Sequence, residues 1–299
     1  MAETELRLIG AGGEPIDLWR TIASHGLASL PPHRIDETAR TFETTLAVRN
    51  GRARTVRVTA GRKGRARLEV LGRRPSRADL ELLVAQVRHM LRLDEDLSLF
   101  YGVVAADPDL AWAAAGAGRM LRSPTVFEDV VKTICTTNCA WSGTVRMVTA
   151  LVDHLGVEDR QTGRHAFPTP VAMCAAPEAF YRDVARAGYR GAYLRTLAAD
   201  VVGGALDLEQ LNDRMVSDDD VAERLLALPG VGPYAAAHVM MLLGRHSRLV
   251  LDSWTRPTYA RLAGKKTVAD KAIERRFKRY REHAGLAFWL YLTREWVPD

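Results

Sequence analysis

Residues 225–261 read LLALPGVGPYAAAHVMMLLGRHSRLVLDSWTRPTYAR. An amphipathic helix ends at Leu226 or Ala227, the chain turns through Leu228-Pro229-Gly230-Val231-Gly232, and a second helix starts at Pro233. Proline suits a first helical position because the N–H it lacks would find no intrahelical acceptor there. Gly230 and Gly232 let the backbone turn sharply and approach a ligand closely. The free amides around Gly230, Val231 and Gly232, with the N-terminus of the next helix, favour an anion. A phosphodiester is a natural occupant, and such a contact positions a duplex without reading its sequence. The same residues could equally make an ordinary corner between two helices.

Outward from this hairpin the pattern is helical back to about residue 76 and forward almost to the C-terminus. Gly, Pro or Asp mark the breaks. The N-terminal part reads differently. TFETTLAV, ARTVRVTA and ARLEVLG, between residues 41 and 72, are short runs rich in β-branched residues. Asn50-Gly51 between the first two is a strong hairpin signal. Ser76 is a plausible N-cap for the helix ADLELLVAQVRHMLRL. The expected fold class is therefore α+β: a small N-terminal antiparallel sheet domain with a helix over residues 1–92, then a mostly helical body over 93–299. Strands and helices do not alternate, which disfavours a doubly wound α/β fold.

The chain has 299 residues, 47% of them hydrophobic, which is ample for a core. Three cysteines, Cys135, Cys139 and Cys174, fit a reducing cytoplasm and leave a four-cysteine cluster one ligand short, so no iron–sulfur cluster is expected. No apolar run reaches the ~18 residues of a spanning helix, so no membrane partner is expected. The N-terminus, MAETELRLIGAGGEP, shows neither a basic start nor an apolar stretch, so no signal peptide is expected. The net charge is +6, but residues 49–77 carry eleven Arg or Lys against Glu69 alone, and residues 265–281 carry eight against Asp270 and Glu274. Segregated basic blocks favour a polyanionic partner, although a solvated basic face has the same signature.

The 225–261 stretch resembles the signature of the helix-hairpin-helix DNA glycosylases, including the 3-methyladenine and 8-oxoguanine branches. In that family the hairpin is followed by a helix, a short apolar stretch and a catalytic aspartate. Leu249-Val250-Leu251 leads to Asp252, so the resemblance implies a catalytic Asp252. Three further stretches look like the family: Phe127-Glu128 through Asn138 resembles the first core helix, Ala187-Gly188-Tyr189-Arg190 its "GYR" turn, and Trp296-Val297-Pro298-Asp299 the C-terminus of the bacterial 3-methyladenine enzyme. The resemblance implies two helical subdomains with a cleft between them and a duplex DNA partner carrying a damaged base. It also implies Asn138 near the gap left by a flipped nucleotide, Tyr189 as a wedge in the stack and Arg190 on the opposite strand. The carbonyls of Leu226, Leu228 and Val231 match positions where the family holds a monovalent cation, Na+ or K+. No other cofactor is expected, and the protein is expected to act as a monomer.

The chemistry needs such a carboxylate, because breaking an N-glycosidic bond develops oxocarbenium character that a nearby carboxylate stabilises while orienting water. Asp252 can also serve as an N-cap, and the two roles can coexist. Bifunctional members carry a lysine just inside the second hairpin helix. Tyr234 stands there here, and the chain has no lysine between Lys132 and Lys265, so a monofunctional enzyme is expected. Phe288 replaces the glutamine of the 8-oxoguanine branch. Trp141, Tyr234, His238, Phe288 and Tyr291 then form a candidate base pocket suited to an electron-poor alkylated purine, or they are aromatic core. The function expected is a monofunctional DNA glycosylase of base excision repair; the alternative is a catalytically silent, structure-selective DNA-binding protein on the same fold.

Overall fold

The computed structural model describes residues 2–297, so Pro298 and Asp299, the end of the WVPD stretch, lie outside the described residues. Five strands form one antiparallel sheet: β1 (Ala2–Arg7), β2 (Arg34–Asp36), β3 (Thr41–Val48), β4 (Arg52–Ala60) and β5 (Arg65–Val70), in the order β1-β5-β4-β3-β2. Strands β3 to β5 are the three apolar runs of the sequence. Asn50 and Gly51 both adopt positive φ, 60° and 63°, between β3 and β4, which asparagine and glycine tolerate best. Strands β1 and β2 went unseen in the sequence. β1 alternates too weakly to declare itself, and β2 is only three residues long.

One sheet face packs Phe42, Leu46, Val56, Val58 and Leu68 against Leu83, Val87 and Met90 of helix α2 (Arg77–Met90), after the short α1 (Leu18–Ile22). Ser76 caps α2 as expected, its Oγ accepting from the Asp79 N–H at 3.1 Å. The opposite face is polar. Thr55 bonds Thr45 at 3.0 Å and Thr162 at 2.7 Å, beneath the two-stranded β6 (Glu158–Asp159) and β7 (Arg164–His165).

The body comprises α3 (Ser98–Val104), α4 (Val126–Thr136), α5 (Trp141–Leu155), α6 (Pro170–Ala175), α7 (Arg190–Val202), α8 (Asp218–Leu226), α9 (Pro233–Leu242), α10 (Thr255–Leu262), α11 (Asp270–Phe277) and α12 (Ala284–Thr293). Helix α4 is the hub, buried from Val126 to Cys135. Within this helical stretch three segments are tighter or looser turns: residues 111–115 and 209–212 are 3₁₀, and 180–184 is a π turn. Two cores result, one beneath the sheet and one in the body, and they exchange residues: Leu27 and Leu30 enter the body core while Leu121 enters the sheet core. Charged contacts cross the same boundary. Fully buried Arg119 pairs with Glu14, and His33 lies 4.0 Å from Glu128.

Part of the basic block on the sheet is paired within the fold. Arg52 pairs with Asp79 at 2.8 Å, Arg57 with Glu43 at 2.6 Å and Glu69 at 3.6 Å, and Arg65 with Glu5 at 3.3 Å. Arg67 reaches Glu3 at 4.0 Å, and Arg54 donates to the Leu71 carbonyl at 3.1 Å. Acids on neighbouring strands and on α2 thus pair part of the block, which a residue count along the chain cannot reveal, while Arg49, Arg62, Lys63, Arg73 and Arg74 are exposed and take part in no ion pair among the described residues.

Candidate active site

The hairpin closes on itself after α8. Leu228 N–H donates to Leu225 O and Val231 N–H to Leu228 O, both at 3.1 Å. Gly230 has φ +81°, and a Cβ there would sit 2.7 Å from the Tyr193 ring, so conformation and space both demand glycine. Gly232 is the N-cap of α9, with no side-chain cap and Pro233 in the first turn. A Cβ on Gly232 would meet open space. The first-turn amides of α9 are thus left to an external acceptor.

Beside these amides, Thr137, Asn138, Tyr189, Tyr193, Gly230 and Tyr234 line one cleft of about 290 Å³. Asn138 adopts φ +45° at the end of α4 and donates its amide to the Tyr189 hydroxyl at 3.3 Å. Tyr189 is 52% exposed and meets Tyr193 edge to face at 5.6 Å. The sequence-predicted Asn138, Tyr189 and hairpin glycines therefore share one surface. Arg190 does not join them as a free cation. It is buried and donates to the carbonyls of Thr137 (3.0 Å from Nε) and Asn138 (3.0 Å from Nη2), closing the open C-terminus of α4. Its guanidinium is engaged by these carbonyls within the fold.

Asp252 follows the extended Leu249–Leu251 and opens α10. Its Oδ1 accepts from the Trp254 N–H at 2.8 Å and the Thr255 N–H at 2.6 Å, while its own N–H donates to Thr255 Oγ1 at 2.8 Å. The cap fixes the carboxylate, and among the described residues Oδ2 makes no hydrogen bond. Pro257 falls within the first turn of α10, where its missing N–H costs nothing. Burial raises the Tyr234 hydroxyl pKa, the Thr136 contact at 3.4 Å lowers it, and the Asp252 charge adds to the rise.

The five pocket aromatics separate. Tyr234 stacks obliquely on His238, with ring centroids 5.9 Å apart, and Trp141, 46% exposed, lies against Gly26. Phe288 and Tyr291 instead belong to a buried cluster with Tyr259 and Phe277, the Phe277 ring lying 5.2 Å from Phe288 and 5.8 Å from Tyr291. Neither is brought to Tyr234. From the same helix, Trp289 meets His238 edge to face at 6.3 Å and Trp254 at 5.7 Å. Trp254, two residues beyond Asp252, also meets Trp296 at 5.4 Å. Sequence reasoning missed Trp289, Trp254 and His25. Trp254 carried a readable signal in its nearness to Asp252. Trp289 carried none, because α12 is buried on every side and its periodicity marks no face.

Burial lowers the His238 pKa to about 3. It also lowers His25, whose ring lies 5.9 Å from that of His238, to about 4, although its bond to the Leu121 carbonyl works the other way. Both imidazoles are neutral at pH 7. Lys132 is buried and ion-paired to Glu128 at 2.6 Å, with the Phe167 ring 5.7 Å away. Cys135 is a buried free thiol that burial pushes up to about 12.

No protein-family model matches the chain, and no curated protein matches it. Solved structures do. MBOgg1 in complex with a low-affinity DNA ligand is 18% identical with a TM-score of 0.74, covering 98% of this chain and 96% of that one. The 3-methyladenine DNA glycosylase of Archaeoglobus fulgidus is 20% identical with a TM-score of 0.74 and covers both chains completely. The 8-oxoguanine glycosylase/lyase of Clostridium acetobutylicum, in its apo form, is 19% identical with a TM-score of 0.73, covering 97% of this chain and 95% of that one. The likeness includes the N-terminal sheet as well as the hairpin body, and the chain therefore has the fold of the 3-methyladenine and 8-oxoguanine DNA glycosylases.

Proposed function

We propose that the protein is a monofunctional DNA glycosylase that hydrolyses the N-glycosidic bond of an alkylated base flipped from duplex DNA. The observation that carries the reading is the geometry of Asp252 downstream of the hairpin helix: one carboxylate oxygen is pinned by two backbone amides, and the other makes no hydrogen bond among the described residues. The C1′–N bond breaks with its electron pair leaving on the base. Asp252 stabilises the positive charge left on the sugar, and water then adds to C1′ and releases a proton. A cationic alkylpurine leaves as a neutral base and needs no proton donor. Neutral His238 beside the rings of Tyr234 and Trp289 offers aromatic faces without a competing positive charge.

Tyr234 stands where a nucleophilic lysine would, and Lys132 is held by Glu128 in the core, so water is the nucleophile in this reading. Asn138 and Tyr189 serve the gap in the stack, and the amides at Gly230, Val231 and Gly232 hold a phosphate. The carbonyls of Leu226, Leu228 and Val231 suit a monovalent cation as hard oxygen donors. They lie at a helix end and in a turn, where carbonyls lack intrahelical donors, and Leu228 O, which accepts from Val231 N–H, keeps a second lone pair. The cation would add positive charge beside the phosphate.

The test is abasic-site formation on a panel of duplexes carrying alkylpurines, 8-oxoguanine, uracil or bulky adducts. Wild type should release a base from an alkylpurine duplex, Asp252→Asn should be slower by at least about 100-fold, and borohydride should trap no covalent complex. DNA binding with no base released from any duplex would leave a silent DNA-binding protein, and efficient trapping would overturn the water mechanism.

A further inference from the structure

The basic block at residues 265–281 is sorted by the fold into two sets. Arg276 and Arg279 are ion-paired, to Asp109 at 2.7 Å and to Asp107. Lys271, Arg275 and Lys278 follow one another at helical spacing on the outer side, are exposed, and take part in no ion pair among the described residues. With Arg248, Arg256 and Arg281 they line a groove of about 1010 Å³. Asp270 and Glu274 are its only acids, and Asp270 is already held by Arg256 at 2.8 Å. The groove begins at Pro233 and Tyr234, the residues that also bound the cleft under the hairpin, and it passes Leu251, the neighbour of Asp252.

We infer that this groove is a second phosphate track, in which Lys271, Arg275 and Lys278 hold the backbone of duplex DNA flanking the nucleotide placed at Asp252. The inference rests on the DNA-binding reading above and extends its footprint. Pro233, in the first turn of α9 beside the hairpin amides, also lines the groove, so one strand can pass from those amides onto α11. Lys271 to Lys278 spans about 10 Å of helix at 1.5 Å per residue. A polyanionic strand suits the groove because cations outnumber acids in its lining and Lys271, Arg275 and Lys278 take part in no ion pair among the described residues. Arg52, Arg57, Arg65 and Arg67 of the N-terminal sheet differ on this point: they are paired with Asp79, Glu43, Glu69, Glu5 and Glu3.

The experiment compares two triple variants of the full chain that remove equal charge: Lys271→Ser, Arg275→Ser, Lys278→Ser in the groove, and Arg52→Ser, Arg65→Ser, Arg67→Ser on the sheet. Affinity for an undamaged duplex is measured across a salt series, with circular dichroism as the folding control. The groove variant should bind on the order of 100-fold more weakly at 0.1 M salt, and its log–log salt slope should fall by two to three, at roughly 0.9 per phosphate contact. The sheet variant should change the slope by less than one. Equal effects, or an unchanged slope in the groove variant, would overturn the track while leaving the glycosylase reading intact. Loss of base release in Asp252→Asn is read separately, and failure of wild type to bind duplex at all would overturn both.

Discussion

The guanidinium of Arg190 lies 3.0 Å from the carbonyl of Asn138, and the Asn138 amide in turn reaches the Tyr189 hydroxyl at 3.3 Å. A buried arginine thus sets the left-handed backbone of the residue expected beside a flipped nucleotide. Hydrogen bonds to a charged donor contribute about 1.5–3 kcal/mol each.

Arg190→Met should therefore destabilise the fold by about 2–4 kcal/mol, because it leaves the Thr137 and Asn138 carbonyls unsatisfied at the end of α4. Arg190→Lys should not rescue it, since one ammonium cannot reproduce a planar fork. Denaturant melts give the stability. A loss of DNA affinity with unchanged stability would instead show Arg190 to be a direct strand contact.

The two neighbouring aromatics of α12 should separate in their effects. Phe288 packs on Phe277 in the core, so Phe288→Ala should cost about 3–5 kcal/mol. Trp289 borders His238 and Trp254, so Trp289→Phe should keep most of the stability while raising KM or lowering kcat for base release. Thermal melts and single-turnover kinetics on both variants check this; the reverse pattern would put Phe288 in the pocket.

Lys132→Met should destabilise by about 3–5 kcal/mol by stranding the Glu128 carboxylate in the core. Adding Glu128→Leu should recover most of that loss, because a buried ion pair is replaceable by apolar groups of similar volume. The double variant should still release base. Loss of release in a folded double variant would identify Lys132 as a chemical participant.

Acid should unfold the protein early. Burial lowers His238 and His246 to about 3 and His25 and His89 to about 4, against an ordinary value of 6.5. Above pH 6.5 these groups are neutral folded or unfolded. As pH falls below 6.5 the unfolded chain takes up protons that the folded chain refuses, so stability is lost at up to about 1.4 kcal/mol per pH unit per imidazole. Asp129, raised to about 6 by burial, works in the opposite sense and offsets about one of them. Tm should drop steeply between pH 6.5 and 4.5, and His238→Phe should flatten the slope by about one proton. A Tm constant from pH 7 to 5 would contradict neutral burial of these histidines.

Sequence alone determined the elements whose signals are local. The hairpin follows from Pro229, Gly230, Gly232 and Pro233, because turn chemistry and helix entry are set within a few residues. Strands β3 to β5 and the Ser76 cap follow from alternation and a single hydroxyl. Asp252 could be singled out because its place is counted from the hairpin. Tertiary structure decided everything that depends on a partner far along the chain. It paired Arg57 with Glu43 and Arg276 with Asp109 and left Lys271, Arg275 and Lys278 unpaired, although all are equal in a charge count. It turned Arg190 into a helix-end clamp on α4, 53 residues away in the chain. It chose Trp289 over Phe288 and Tyr291 for the neighbourhood of His238, because a helix buried all round carries no amphipathic record of which face meets which neighbour.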